Sequence, residues 1–493
     1  MTSFASKARS AVIWNAGFNL FRDGLQFATM LVLVRLLPKE AYGQFGFVTS
    51  IVGFISIFAF GNFISHALQV KDIEDACFQE HFTAGAVLNL GMFVVTNGVA
   101  VALRWSPTWA AVAPLLHVMS VSFVLEWPCE LRRKMIERDF DWKTLRILHA
   151  SGLALTAVLA LGMARSGCGT YALLVPGMAV TLPFIYDLFF RLRWRPTWQW
   201  SWELYKPSFI FGVTRLGSGL VVQGRTLMES STLAGIIGFA SLGLLNRSIG
   251  LSQLFCIKLA SQLLYAIYPI LTRIGNTEGN AARVSMLVVQ TVAWTTIPLA
   301  TAFGLLSTPV VSLIYGKTWL EVIPLVPWAM GWGVASALCQ ASYMLLLARQ
   351  QQKLCLYADA LILCGTGLAL WLALPHGLAA YLIASISVQC LALAFVTFWL
   401  RRLEAVSLRG WLLAFTPALV AAAASATIVC LLGGHPDSTS RIPLYQSIAW
   451  GMLFMACYTL ALRVAFKGRL EILMPYLPFQ SVLRRLLLLP QRA

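Results

Sequence analysis

Charge is what this sequence has least of. Asp, Glu, Lys and Arg make up 12% of its 493 residues, and the acids are scarcer than the bases, 20 against 37. A soluble globular domain carries about twice that charged fraction. No polar interval exceeds about thirty residues, too short to build a core of its own, so a sizeable domain outside a membrane is excluded. The ten cysteines are scattered, with no C-x-x-C pair and no histidine cluster beside them. That argues against a disulfide framework or a metal site, and they read as small apolar residues. There is no G-x-S-x-G, P-loop, H-E-x-x-H or pair of carboxylates on one helix face, so no enzymatic arrangement and no cofactor site emerges. Without a P-loop the chain cannot power itself with ATP. Its energy source would be an ion gradient, the membrane potential or downstream consumption of a product.

What the chain does have is apolar length. Residues AVILMFWYC form 58% of it, arranged in about fourteen stretches of roughly twenty residues, each enough to cross the hydrocarbon core as a helix. The fold class is therefore all-α: a polytopic membrane protein with about fourteen transmembrane helices, in two six-helix lobes plus two C-terminal helices. The divisions read as an N-lobe over 1–190, an interfacial linker over 191–206, a C-lobe over 207–400, two further spans within 401–466, and a cytoplasmic amphipathic tail over 467–493. The linker RLRWRPTWQWSWELYK, with three arginines and four tryptophans, suits a segment lying at the inner interface. The seventh span is placed at 207–225, a short outer loop around Glu229 follows, and the eighth runs unusually long, 234–271, with Pro269 near its end. Prolines 176, 183, 298, 324 and 327 predict bent helices.

Basic residues alternate between loops. With the N-terminus in the cytoplasm, the outer loops hold only Lys39, Arg104, Arg165, Lys317 and Arg441. The positive-inside rule then puts both ends inside, and the first span reads as a retained helix rather than a signal peptide. The basic surface meets anionic membrane lipids, and nucleic acid is not needed to explain it.

Ionisable groups inside such spans are costly and mark pathways for ions or substrates. In the first helix Asn15, Asn19, Arg22 and Gln26 recur at i, i+4, i+7, i+11 as one polar stripe flanked by Asp23. The stripe reads as cavity lining, the competing reading being a pair that only locks the bundle. In the seventh span Ser208, Arg215, Ser218 and Arg225 fall within an arc of roughly 100°; Arg225 lies close to the outer end, where it can snorkel. In the eighth, Arg247 and Lys258 are eleven residues apart, with Gln262 one turn on. His66 is a weaker candidate beside Asn62 and Gln69. Glu126 and Glu130 border a cytoplasmic loop where Arg132 or Arg133 can pair with them. Cations held at membrane depth suit an anionic cargo, and Arg favours phosphate through bidentate contacts.

Four motifs carry a family resemblance: Arg35-Leu-Leu-Pro-Lys-Glu-Ala-Tyr-Gly43, Leu242-Gly-Leu-Leu-Asn-Arg247, Tyr268-Pro-Ile-Leu-Thr-Arg273 and Ile314-Tyr-Gly-Lys-Thr-Trp319. In order and spacing they resemble the Wzx-type oligosaccharide flippases, the polysaccharide transporter branch of the multidrug/oligosaccharidyl-lipid/polysaccharide exporter superfamily, over about residues 10–400. The resemblance implies two six-helix lobes around a central cavity, and flipping of an undecaprenyl-pyrophosphate-linked oligosaccharide across the bacterial inner membrane for surface polysaccharide. It also implies a proton or sodium ion as coupling partner and contact with polymerase and glycosyltransferase machinery. Two departures bear on the coupling ion and the charge of the cargo. Relatives often have Q-x-D-x where this chain has Gln223-Gly-Arg-Thr226, and the loop Lys71-Asp-Ile-Glu-Asp75 is acidic. A multidrug exporter of the same superfamily would call for acidic cavity residues, whereas Asp23 is the clear intramembrane acid. A membrane glycan polymerase or ligase would call for a larger outer loop.

Overall fold

The computed structural model describes residues 2–64, 75–265, 281–404, 408–433 and 444–473. The side chains of residues 2–16, 75–76, 204, 214–215, 281–284, 404, 408, 444 and 467–473 lie outside that description. Among the described residues the chain is helical and without strands. Twelve helical segments are long and apolar enough to cross a membrane, so this criterion does not reach the count of about fourteen. One of the twelve, Leu216–Tyr265, is 50 residues long and takes in the whole eighth span as far as it is described, with part of the seventh. The first helix, α1 (Thr2–Leu36), carries Arg22, Asp23 and Gln26 in its middle and is not among the twelve.

The chain divides into two compact units, Met1–Gly243 and Leu244–Ala493. In the first, α2 (Lys39–Ile55), α3 (Gly61–Ile64), α4 (Asp75–Leu103), α5 (Ala113–Arg138) and α6 (Trp142–Arg165) follow α1, and α4 packs on α5 while α1 packs on α6. Asp141 caps α6 by accepting from the Thr144 backbone N–H at 3.1 Å, and hydrogen bonding from Thr144 holds its carboxyl below the usual carboxylate range. The sixth span stays helical from Tyr171 to Arg191, but its hydrogen-bonding pattern changes beside its prolines. Helix α7 (Tyr171–Met178) contains Pro176, a tight turn follows, α8 (Leu182–Tyr186) starts with Pro183 in its first turn, and a wide turn closes it at Asp187–Arg191. Pro298, in contrast, sits inside the uninterrupted helix Ala281–Leu305.

The seventh and eighth spans differ from expectation. There is no outer loop around Glu229, because α9 (Trp202–Ser252) is helical on either side of one non-helical residue, Gly238 (φ 83°, ψ 168°). Only glycine adopts that conformation without strain. The extra length therefore belongs to the seventh helix, and Glu229 is half-buried on it. The Pro269 end of the eighth span lies outside the described residues, as do the tail from 474 and the motif at 268–273.

The linker segment is exposed over most of its length but turns inward at Trp194. Trp194 is buried against Phe82 and Trp127, while Trp198, Trp200 and Trp202 are exposed. The Gln79 side chain on α4 explains the inward turn: it donates to the Arg195 carbonyl (3.0 Å) and accepts from the Thr197 N–H (2.8 Å). In the second unit, Ala281–Leu305 packs against Val326–Ala348 and Leu408–Leu431. Trp294 is the centre of this core, donating to the Ala414 carbonyl (3.0 Å) and accepting at its own carbonyl from the Tyr458 hydroxyl (3.1 Å). Large apolar side chains such as Val87, Val94 and Val158 point outward from their helices, as lipid-facing positions do.

Candidate functional site

On the first helix the charge of the polar stripe turns to its sequence neighbour. Arg22 Nε donates to Asp23 Oδ1 at 3.0 Å, both half-exposed, so the two charges meet side by side. Arg22 also stands 5.9 Å from the Phe18 ring, and Arg146 of α6 stands 4.9 Å from the same ring. Asn19 and Gln26 are exposed, and the Asn15 side chain lies outside the described residues. Beyond Phe18, the His149 ring lies 5.7 Å from it and 4.8 Å from Phe184, over which Arg133 sits at 5.7 Å. Arg22, Arg133 and Arg146 thus gather round two phenyl rings and one imidazole on α1, α5, α6 and α8. Sequence spacing identified Arg22 alone of these.

The positions of the seventh-helix arc have separate surroundings. Ser208 is buried, its hydroxyl 3.1 Å from His81 Nε2 on α4. The Arg215 side chain lies outside the described residues, Arg225 is half-buried, and Ser218 lines a polar cavity. His66 and Gln69 also lie outside the described residues. In the second unit Arg247 and Lys258 are both half-buried. A wide helical turn at Gln253–Ile257 separates them, so the unbroken α period that placed Arg247, Lys258 and Gln262 on one face does not hold.

The polar cavity belongs wholly to the first unit. It has a volume of ≈ 530 Å³, with Ser56, Asn62, Glu126, Ser218 and Gln223 among its lining. Glu126 and Glu130 part company here. Glu130 takes Arg133 in an ion pair, Arg132 turns to Asp187 of the sixth span (2.6 Å), and Glu126 lines the cavity. A second cavity, ≈ 850 Å³ and almost wholly apolar, lies in the second unit among Ile297, Met330, Leu338, Trp411 and Phe415.

Sequence reasoning missed the polar seam of α4. Asn89 accepts from the Phe60 N–H and donates to the Phe123 carbonyl, and Asn97 meets Ser120 and His117. The signal was present, since His81, Asn89 and Thr96 repeat at helical spacing on one face.

The first, second and fourth family motifs lie within the described residues, and the second touches each of the other two. A Cβ on Gly243 would lie 2.1 Å from the Lys39 carbonyl oxygen, so the second motif is pressed onto the first. Tyr315 and Trp319 of the fourth motif are buried, their rings 5.9 Å apart, and the Tyr315 hydroxyl donates to the Arg247 carbonyl at 2.9 Å.

Residues 32–324 match the family described as "Polysaccharide biosynthesis protein". Among curated proteins, the chain is 22% identical over 320 residues to the succinoglycan biosynthesis transport protein ExoT of Rhizobium meliloti (strain 1021), covering 61% of each. It is 22% identical over 334 residues to the lipopolysaccharide biosynthesis protein WzxC of Escherichia coli (strain K12), covering 65% of this chain and 66% of that one. The match thus spans somewhat under two thirds of either relative's length. Among solved structures, the lipid II flippase MurJ in an inward closed conformation superposes with a TM-score of 0.72 at 11% identity, over 93% of this chain and all of that one. This likeness is one of fold.

Proposed function

The chain belongs to the polysaccharide biosynthesis protein family, and on that premise we propose that it flips a lipid-linked oligosaccharide from the inner to the outer leaflet of a bacterial cytoplasmic membrane. The observation that carries this reading is the family match over residues 32–324 in a multi-pass helical protein. The MurJ-like fold supports it, as do the names of the two relatives, one a succinoglycan biosynthesis transport protein and the other a lipopolysaccharide biosynthesis protein.

The chemistry follows from what the bilayer refuses. A polyprenyl tail dissolves in lipid, whereas a pyrophosphate-linked glycan does not. The helices need only shelter the head. Arg22, Arg215, Arg247 and Lys258 are the proposed headgroup contacts, guanidinium being able to meet phosphate oxygens two at a time. Asp23 keeps Arg22 oriented between cargoes, with Asn15, Asn19 and Gln26 offering hydrogen bonds to sugar. The two units act as the lobes of an alternating-access carrier, both ends of the chain in the cytoplasm. The apolar cavity of the second unit suits a stretch of hydrocarbon chain. The cycle performs no bond-breaking step.

Deletion of the gene tests the reading. The expected outcome is loss of surface polysaccharide with lipid-linked repeat units accumulating on the inner leaflet, restored by the wild-type chain but not by Arg22→Ala or Arg247→Ala at equal membrane abundance. Unchanged surface polysaccharide in the deletion strain would overturn it.

A further inference from the structure

We propose that Glu126 is the proton-binding residue of the transport cycle, taking up a proton from water in the ≈ 530 Å³ cavity of the first unit and releasing it in another phase. The inference rests on the translocation reading and names its coupling ion.

Three observations carry it. The first is position. Glu126 follows the run Ala113–Leu125 of α5, which holds no Asp, Glu, Lys or Arg, and stands one turn before the charged end Glu130–Arg138. A carboxylate at the inner edge of a membrane helix costs more as an ion than it does in water, and the cavity beside it admits water. The second is the fate of the nearby cations. Arg132 is held by Asp187, and Arg133 by Glu130 and the face of Phe184, so the two guanidiniums closest in sequence already have carboxylates of their own. The third is the wall of the cavity. Ser56, Asn62, Ser218 and Gln223 bring hydroxyls and amides but no charge. The Asn62 amide N–H groups are directed to the Ser56 and Ile57 carbonyls (3.4 and 2.8 Å), and the Gln223 amide lies against Gly53.

The charged groups acting on Glu126 are Glu130 and Arg133, both on its own helix. The described side chains lining the cavity from α2, α3, the turn between them and α9 are neutral. Such an environment solvates a carboxyl without fixing its charge. The step is balanced: one proton leaves hydronium, an O–H bond forms on the Glu126 carboxylate, and the reverse returns the proton to water. No carboxylate in the seventh-span Gln223-Gly-Arg-Thr226 segment is needed, because α5 supplies one to the same cavity.

The test uses the full-length protein in phosphatidylethanolamine–phosphatidylglycerol vesicles, with two readouts. Infrared difference spectra between alkaline and acid buffer are expected to show a carboxylic acid C=O band in wild type that Glu126→Gln abolishes, Glu126→Asp shifts and Glu130→Gln retains. Translocation of lipid-linked repeat units extracted from host membranes is expected to speed up several-fold under a pH gradient. That stimulation is lost in Glu126→Gln and recovered in part by Glu126→Asp. A band and a stimulation both unchanged in Glu126→Gln overturn the proposal, as does stimulation by a sodium gradient in place of a pH gradient. If wild-type protein moved no repeat units at all, the flippase reading would fall, and the infrared titration would still decide the proton site.

Discussion

Gly43 lies so close to the backbone of Phe239 that a Cβ on it would come 1.8 Å from the Phe239 carbonyl oxygen. The contact joins α2 to the helix around Gly238 within the first unit, and backbone cannot yield as a flexible side chain can. The last residue of the Arg35–Gly43 motif is therefore there for packing, not for cargo. Gly43→Ala is expected to destabilise by at least about 1–3 kcal/mol, the range for overpacking a filled site. At Gly91, where a Cβ would meet nothing within 4 Å, the same change is expected to stabilise by up to about 1 kcal/mol. Thermal unfolding in detergent, read as the fraction surviving as monodisperse protein, separates the two.

Arg132 and Asp187 form a pair with side-chain exposures of 13% and 2%. Removing the arginine leaves, among the described residues, a buried carboxylate with the exposed Arg191 at 3.2 Å as its remaining ion-pair partner. Arg132→Ala is expected to cost about 3–5 kcal/mol. Lys134→Ala, which breaks a more exposed pair with Glu137 at 2.8 Å on one helix, is expected to cost under about 1 kcal/mol. The same melting assay ranks them, and equal losses would contradict the account.

Gln79 holds the segment after the sixth span by two hydrogen bonds, to Arg195 and Thr197. Gln79→Leu removes both and leaves the Arg195 carbonyl and the Thr197 N–H to water, a cost of about 0.5–1.5 kcal/mol for each bond. Limited proteolysis is expected to cut between residues 192 and 201 faster in the variant, with cuts elsewhere unchanged.

The membrane made much of this fold legible. Hydrocarbon thickness fixes helix length and composition, so most spans could be placed without knowing what packs against what. Where polar residues cluster, the reasoning failed for a physical reason. Glu229-Ser-Ser-Thr232 reads as a loop but stays helical within a half-buried surface, while the break falls at Gly238 inside the apolar run Gly235-Ile-Ile-Gly-Phe239. Arg22 and Asp23, adjacent in sequence, do pair. The partners of Glu126, Glu130, Arg132 and Arg133 could not be assigned from one helix, since Asp187 comes from a distant one. Likewise Arg247 and Lys258 kept the right spacing for an α-helix, but the wide turn between them changes the phase.

The central claim is tested most directly by translocation in purified vesicles. Lipid-linked repeat units from host membranes are placed in the membrane with the protein, and a membrane-impermeant lectin reads how fast the inner-leaflet pool becomes accessible. The account predicts rapid exposure with the wild-type chain, none beyond spontaneous leakage in protein-free vesicles, and a rate lowered roughly tenfold or more, about 1.4 kcal/mol of barrier, in Arg22→Ala and in Arg247→Ala. Exposure no faster than in protein-free vesicles, or arginine variants as fast as wild type, would contradict it.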